Sequence, residues 1–267
     1  MLLITASIIS ILYCAVAAAE WRLLSGKTSF PRKVSHSLLT LAILGHAAIV
    51  YSTITTPNGP DISIDNTSSL VAALISALVL LNCIKKPLDT LFIFISPIAS
   101  ITVFWSVLAE APKELALTEL STGMTSHIIL SILAYATFSI ATMQAMLVAL
   151  LNHKLKQRHN GWKFIKVLPP LQSMEHLLFN MLWMGFILLT AAIVIGGLYI
   201  EDLFEQHIVH KTVLSIAAWM VFAILIAGHQ IMGWRGKKAI RWTFGGWVLL
   251  LLGYFGSKFV LELILRT

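Results

Sequence analysis

Of the chain's 267 residues, 58% are hydrophobic and 12% charged, and the mean hydropathy is +0.85; a soluble domain carries about 25% charged residues. This composition excludes a soluble globular protein. The net charge of +7 sits in short basic clusters between apolar runs, a pattern of membrane topology that excludes nucleic acid as a partner.

A spanning helix needs about 20 mostly apolar residues and tolerates no irregular backbone facing lipid. Eight runs qualify, at roughly 2–19, 35–54, 68–84, 88–108, 124–151, 174–199, 209–232 and 242–264. Because they are continuous and not alternating, they predict an all-α polytopic bundle and disfavour a β-barrel. One integral domain over 1–267 is expected, with no soluble part large enough to fold alone.

In chain order, the first run, MLLITASIISILYCAVAAAE, ends in small residues as a cleaved signal would. It lacks a positive leading segment, and its basic residues follow it, so a retained helix is expected. Run two carries His46 about 12 residues in, roughly 18 Å along a helix. Cys14 and Cys83 lie inside apolar runs without a Cys-x-x-Cys pair, which supports neither a disulfide framework nor a thiol relay. After run four, AEAPKELALTELSTG sets Leu115, Leu117 and Leu120 among charges; a short surface helix and a solvated loop both fit. His127 opens run five. The basic stretch NHKLKQRHNGWKFIKVLPPLQ then ends at Pro169-Pro170, which stop any helix before run six. Run seven opens with His210 and nearly closes with His229, about 28 Å further along. The pairs Gly196-Gly197 and Gly245-Gly246 permit close helix contacts. Late in run eight, Lys258 precedes Glu262 by one turn.

Charge fixes an expected orientation. Segments 20–34, 85–86, 152–173 and 233–241 hold fifteen of the nineteen Lys and Arg, while the opposite side keeps Lys113, Lys211, Lys258 and Arg266. The positive-inside rule assigns the first set to the cytoplasm and both termini to the outer, periplasmic side of an inner membrane. Nine acids fall on that outer side: Asp61, Asp65, Glu110, Glu114, Glu119, Glu201, Asp202, Glu205 and Glu262.

Intramembrane ionisable residues are costly and therefore candidates for function, although a neutral histidine also bridges helices by hydrogen bonds. On this topology His46, His127 and His210 share the outer leaflet. His36, His153, His159 and His176 lie on the cytoplasmic side, where a titratable surface group is the default reading. Zinc is disfavoured for the outer set, which lacks HExxH or paired Cys-His spacing. Haem needs one or two axial imidazoles from separate helices, an apolar pocket and a cation near its propionates. Lys258 is the candidate cation, with an i,i+4 salt bridge to Glu262 as its structural alternative.

The segments HKTVLSIAAWMVFAIL, GWRGKKAIRW and YFGSKFVLEL resemble the last two helices of the CcsA-type cytochrome c assembly family of membrane proteins. SHIILSILAYATFSIATMQAMLVAL and LPPLQSMEHLLFNMLWMGFILLT extend the likeness, which is closest to the small YpjD/HemX-like branch and strongest from about residue 120. The resemblance implies haem handling at the bacterial inner membrane, with His127, His210 and His46 as ligand candidates to b-type haem. A family histidine also occurs near His229, whose depth differs from that of the outer set. The loop GGLYIEDLFEQHIV has no tryptophan, whereas full haem lyases of the family carry a WWD segment there as an aromatic platform. The resemblance also leads to an outer histidine beyond run eight, and residues 265–267 contain none. The expected function is therefore to bind, relay or sense haem without ligating it to an apocytochrome, with no enzymatic activity and another inner-membrane protein as a partner. Two other classes remain open: a transporter subunit for an ion or small molecule, and a scaffold without haem.

Overall fold

Each apolar run contributes one of the described α-helices in the computed structural model, which describes residues 1–25, 31–56, 59–61, 63–83, 88–109, 122–156, 168–199 and 209–256. The helices are α1 (Leu2–Leu24), α2 (Arg32–Ile54), α3 (Ile64–Cys83), α4 (Phe92–Leu108), α5 (Thr122–Lys156), α6 (Leu171–Tyr199), α7 (Val209–Met232) and α8 (Gly236–Leu251). Seven of them, α1 to α7, are long and apolar enough to cross a membrane, α4 together with the 3-10 turn Asp89–Leu91 that leads into it. The chain is thus an all-α, multi-pass membrane protein. Helix α8 has 16 residues and runs on into one π turn, Leu252–Gly256. The rest of run eight lies outside the described residues, as do residues 110–121, for which a short surface helix and a solvated loop both fit the sequence.

Helices outlast their apolar runs at several ends. α1 continues through Leu24 and α5 through Lys156, because backbone hydrogen bonding does not stop where charge begins. Basic side chains in these last turns, Arg22 on α1 and His153, Lys154 and Lys156 on α5, suit the negative end of the helix dipole.

Cα packing divides the chain into two compact units, Met1–Glu119 with Asn160–Pro169 and Leu120–His159 with Pro170–Thr267. The first contains α1 to α4. Its helices α1 and α4 are pinned by reciprocal bonds, Ser10 Oγ to the Ser100 carbonyl (3.1 Å) and Ser100 Oγ to the Ser10 carbonyl (3.3 Å). Tyr13, Leu39, Ile49, Phe92, Ile95 and Val103 fill its interior, while Ile4, Ile8 and Ile11 on α1 stay exposed. Apolar side chains on both the inner and the outer face are what lipid as a solvent allows. Between α2 and α3, a minimal antiparallel ladder pairs Thr55 with Pro60 and Thr56 with Gly59. Asn66 Nδ2 ties this turn to α3 by donating to the Thr53 carbonyl (3.3 Å) and to Asp61 Oδ2 (2.9 Å).

The second unit contains α5 to α8, built around Phe138 of α5 stacked on Phe222 of α7 at 3.8 Å between centroids. Gly185 of α6 and Gly246 of α8 lie against these rings; a Cβ at Gly246 would sit 2.6 Å from Phe222. Polar bonds satisfy the indoles between helices: Trp219 Nε1 donates to Thr190 Oγ1 (2.9 Å) and Trp247 Nε1 to Ser139 Oγ (3.0 Å). The turn Gly233-Trp234-Arg235-Gly236 joins α7 to α8 with φ of +67° at Gly233 and +56° at Gly236, values that L side chains rarely adopt.

Candidate functional site

His127 lies in the second turn of α5, facing the last turns of α6. Its Nδ1 is 2.8 Å from the Ala192 carbonyl. A carbonyl only accepts, so in the neutral ring Nδ1 carries the proton and Nε2 keeps its lone pair. The ring fits because α6 presents Gly196, where a Cβ would be 2.7 Å from Nδ1. One helical turn away, Gly123 lies against the Tyr199 ring, so α5 and α6 approach closely at this end of the unit. A backbone carbonyl on one ring nitrogen, with no partner on the other among the described residues, is the arrangement that orients metal-binding imidazoles.

The backbone of His210 belongs to the first turn of α7. Because Trp219 bonds Thr190 while His229, further along α7, stacks on Phe179, earlier in α6, the two helices run antiparallel, and that turn is at the same end of the second unit as His127. The side chain of His210, and Lys258 as a whole, lie outside the described residues. His229 is at the opposite end of α7, with Nδ1 2.8 Å from the Trp234 carbonyl and its ring stacked on Phe179 at 3.4 Å. Like His127, it is anchored through Nδ1 to a carbonyl.

His46 belongs to the first unit and is fully buried. Both of its nitrogens are engaged: Nδ1 with Tyr13 Oη at 3.2 Å and Nε2 with Ser69 Oγ at 2.9 Å. Ser106 Oγ continues the chain by donating to Ser69 Oγ at 3.3 Å. This is the hydrogen-bonding arrangement weighed against ligation in the sequence, and a metal at His46 would displace one of these bonds.

Sequence reasoning treated His36 as a surface group, and here the structure differs. Its Nε2 is 2.5 Å from Asp89 Oδ1, whose carboxylate also pairs with Arg32 (Nη2 to Oδ2, 2.9 Å). A signal for this was available. Nine of the chain's twelve acids fall on the sparsely basic side, which leaves Glu20, Asp89 and Glu175 among the basic clusters. Glu20 is buried, Asp89 holds Arg32 and His36, and Glu175 Oε1 accepts the Gly236 amide at the start of α8 (3.0 Å).

The profile of the family described as "Cytochrome C assembly protein" matches residues 10–265. The inner membrane protein YpjD of Escherichia coli K12 is 39% identical over 146 residues, 55% of each chain. A 28.8 kDa protein of Azospirillum brasilense is 31% identical over 141 residues, 52% of each chain. The cytochrome c biogenesis protein CcsA of Chlamydomonas reinhardtii is 23% identical over 145 residues, 53% of this chain and 39% of that one. The chain spans about half the length of the curated relatives it matches. No solved structure matches it.

Proposed function

The chain belongs to the cytochrome c assembly protein family, and from that premise we propose that it is a haem-binding accessory protein of the bacterial inner membrane, one that binds, relays or senses b-type haem. The supporting observation is His127, whose Nδ1 is tied to the Ala192 carbonyl and whose Nε2 is left as a donor. The donor chemistry fits haem, which takes neutral imidazole nitrogens as axial ligands. His127 and His210 are the proposed pair, because α5 and α7 bring their backbones to one end of the same unit. His46 is the alternate and would give up a hydrogen bond to serve. Lys258 is the proposed partner of a propionate. Both termini on the periplasmic side would put this end of the unit in the outer leaflet.

The protein is not proposed to be an enzyme. Its outer loop between α6 and α7 carries no tryptophan, so it lacks the aromatic platform that would align a haem edge with an apoprotein thiol. Another inner-membrane protein would receive or supply the haem. The alternative, a transporter subunit, draws on the buried chain Tyr13–His46–Ser69–Ser106; it would show solute flux in vesicles and no haem.

The test is an absorption spectrum of the protein purified from haem-replete cells. A Soret band is expected, and His127→Ala or His210→Ala should shift or abolish it while the protein remains folded. His159→Ala should leave it unchanged. Purification without haem, or equal loss of the band from every histidine variant, overturns the reading.

A further inference from the structure

Apart from the haem-ligand candidates, one cluster in the first unit combines three kinds of metal-binding donor. A ring nitrogen of His36, Cys83 Sγ and a carboxylate oxygen of Asp89 all lie within 4.8 Å of one another. They come from three elements: His36 from the first turns of α2, Cys83 from the last position of α3, and Asp89 from the 3-10 turn before α4. The thiol is buried, with Cys83 2% exposed. His36 and Asp89 keep side-chain exposures of 26% and 19%, so the cluster has a buried floor and an open rim. Arg32 fixes the frame from outside: its guanidinium holds Asp89 through Nη2 (2.9 Å) and Nε (3.1 Å), and Nη2 also donates to the Cys83 carbonyl (2.9 Å). Glu20 is a further ionisable neighbour, buried and within electrostatic range of His36, Cys83 and Asp89.

We infer that His36, Cys83 and Asp89 form a binding site for a zinc-like divalent cation. An ion-pair clasp between α2 and the turn before α4 would account for Arg32, His36 and Asp89. It gives no role to a buried thiol at the same point. A thiolate, an imidazole and a carboxylate are the donors Zn²⁺ takes, with three protein ligands leaving a fourth position for water or another group. Hard cations such as Ca²⁺ and Mg²⁺ require more oxygen ligands than the cluster offers, and Cu(I) favours additional sulfur. On binding, the Cys83 thiol releases its proton to solvent; the thiolate and the Asp89 carboxylate together balance the ion's two charges. Tetrahedral bonds of about 2.0 Å put N and O ligands about 3.3 Å apart, so Asp89 Oδ1 moves by less than about 1 Å from its 2.5 Å contact with His36. Arg32 keeps the other carboxylate oxygen, in the manner of an outer-shell partner.

The chain's two cysteines make a direct test. Untagged full-length protein in detergent is titrated with Co²⁺, a spectroscopic stand-in for Zn²⁺, and then with Zn²⁺ as competitor. A thiolate-to-cobalt charge-transfer band should appear at one equivalent, persist in Cys14→Ser and disappear on adding Zn²⁺. With Cys14 removed, the band can arise only from Cys83, so the assignment does not depend on a Cys83 variant folding. His36→Gln and Asp89→Asn should each weaken cobalt binding at least tenfold. Absence of the band in the native chain, its loss in Cys14→Ser, or its indifference to both His36→Gln and Asp89→Asn overturns the site. Haem content is a separate measurement, because this cluster shares no residue with the proposed haem ligands.

Discussion

The histidines differ less in burial than in what their two nitrogens touch. His127 and His229 each donate through Nδ1 to a backbone carbonyl and, among the described residues, have no partner on Nε2, whereas His46 is engaged on both sides by hydroxyls. A hydroxyl can donate or accept, so Tyr13 and Ser69 satisfy either tautomer of His46. Removing the ring takes a buried hydrogen-bond partner from both the Tyr13 and Ser69 hydroxyls inside a membrane helix bundle. His46→Ala should therefore lower thermal stability by about 0.6–2 kcal/mol, measured by unfolding in detergent, and leave any Soret band in place. Loss of the band with unchanged stability would assign His46 to the haem instead. A histidine's presence in an apolar run was legible in the sequence. Its bonding was not, because Ser69 and Tyr13 lie on other helices and no spacing rule links them.

At the scale of elements, glycine pairs separate what the sequence suggests from what packing requires. Both Gly196-Gly197 and Gly245-Gly246 read as small-residue contact patches, yet in each pair a single member meets a neighbour. Gly196 faces the His127 ring and Gly246 the Phe222 ring, while Gly197 and Gly245 have nothing within 4 Å of a Cβ. Rotation by about 100° per residue sends adjacent positions to different faces of a helix, so a pair can satisfy only one contact. Gly246→Ala would press a methyl group against Phe222, itself stacked on Phe138, and should destabilise the second unit by about 1–3 kcal/mol. Gly245→Ala should be neutral or slightly stabilising, since it removes backbone freedom without a clash. Comparing the thermal unfolding of these two variants checks the register of α8; equal effects would contradict it.

For the molecule as a whole, the fifteen-to-four division of basic residues leads us to expect both termini on the periplasmic side. A reporter fused after Thr267 should be active in the periplasm, and one inserted at Asn160 should report cytoplasm. The reverse outcome would put the His127 end of α5 on the inner side and remove the reason to place haem handling at the outer face. The amino-acid sequence by itself determined the membrane class, the helix count, the family and most helix ends to within a few residues, because these follow from local quantities: apolar length, charge and proline position. Tertiary structure decided which ionisable groups meet. It divided α1–α4 from α5–α8, separating His46 from His127, bound His127 to Ala192, and gathered His36, Cys83 and Asp89 from three elements. Such meetings depend on how helices rotate and pack against each other over tens of residues, which no local pattern in the chain encodes.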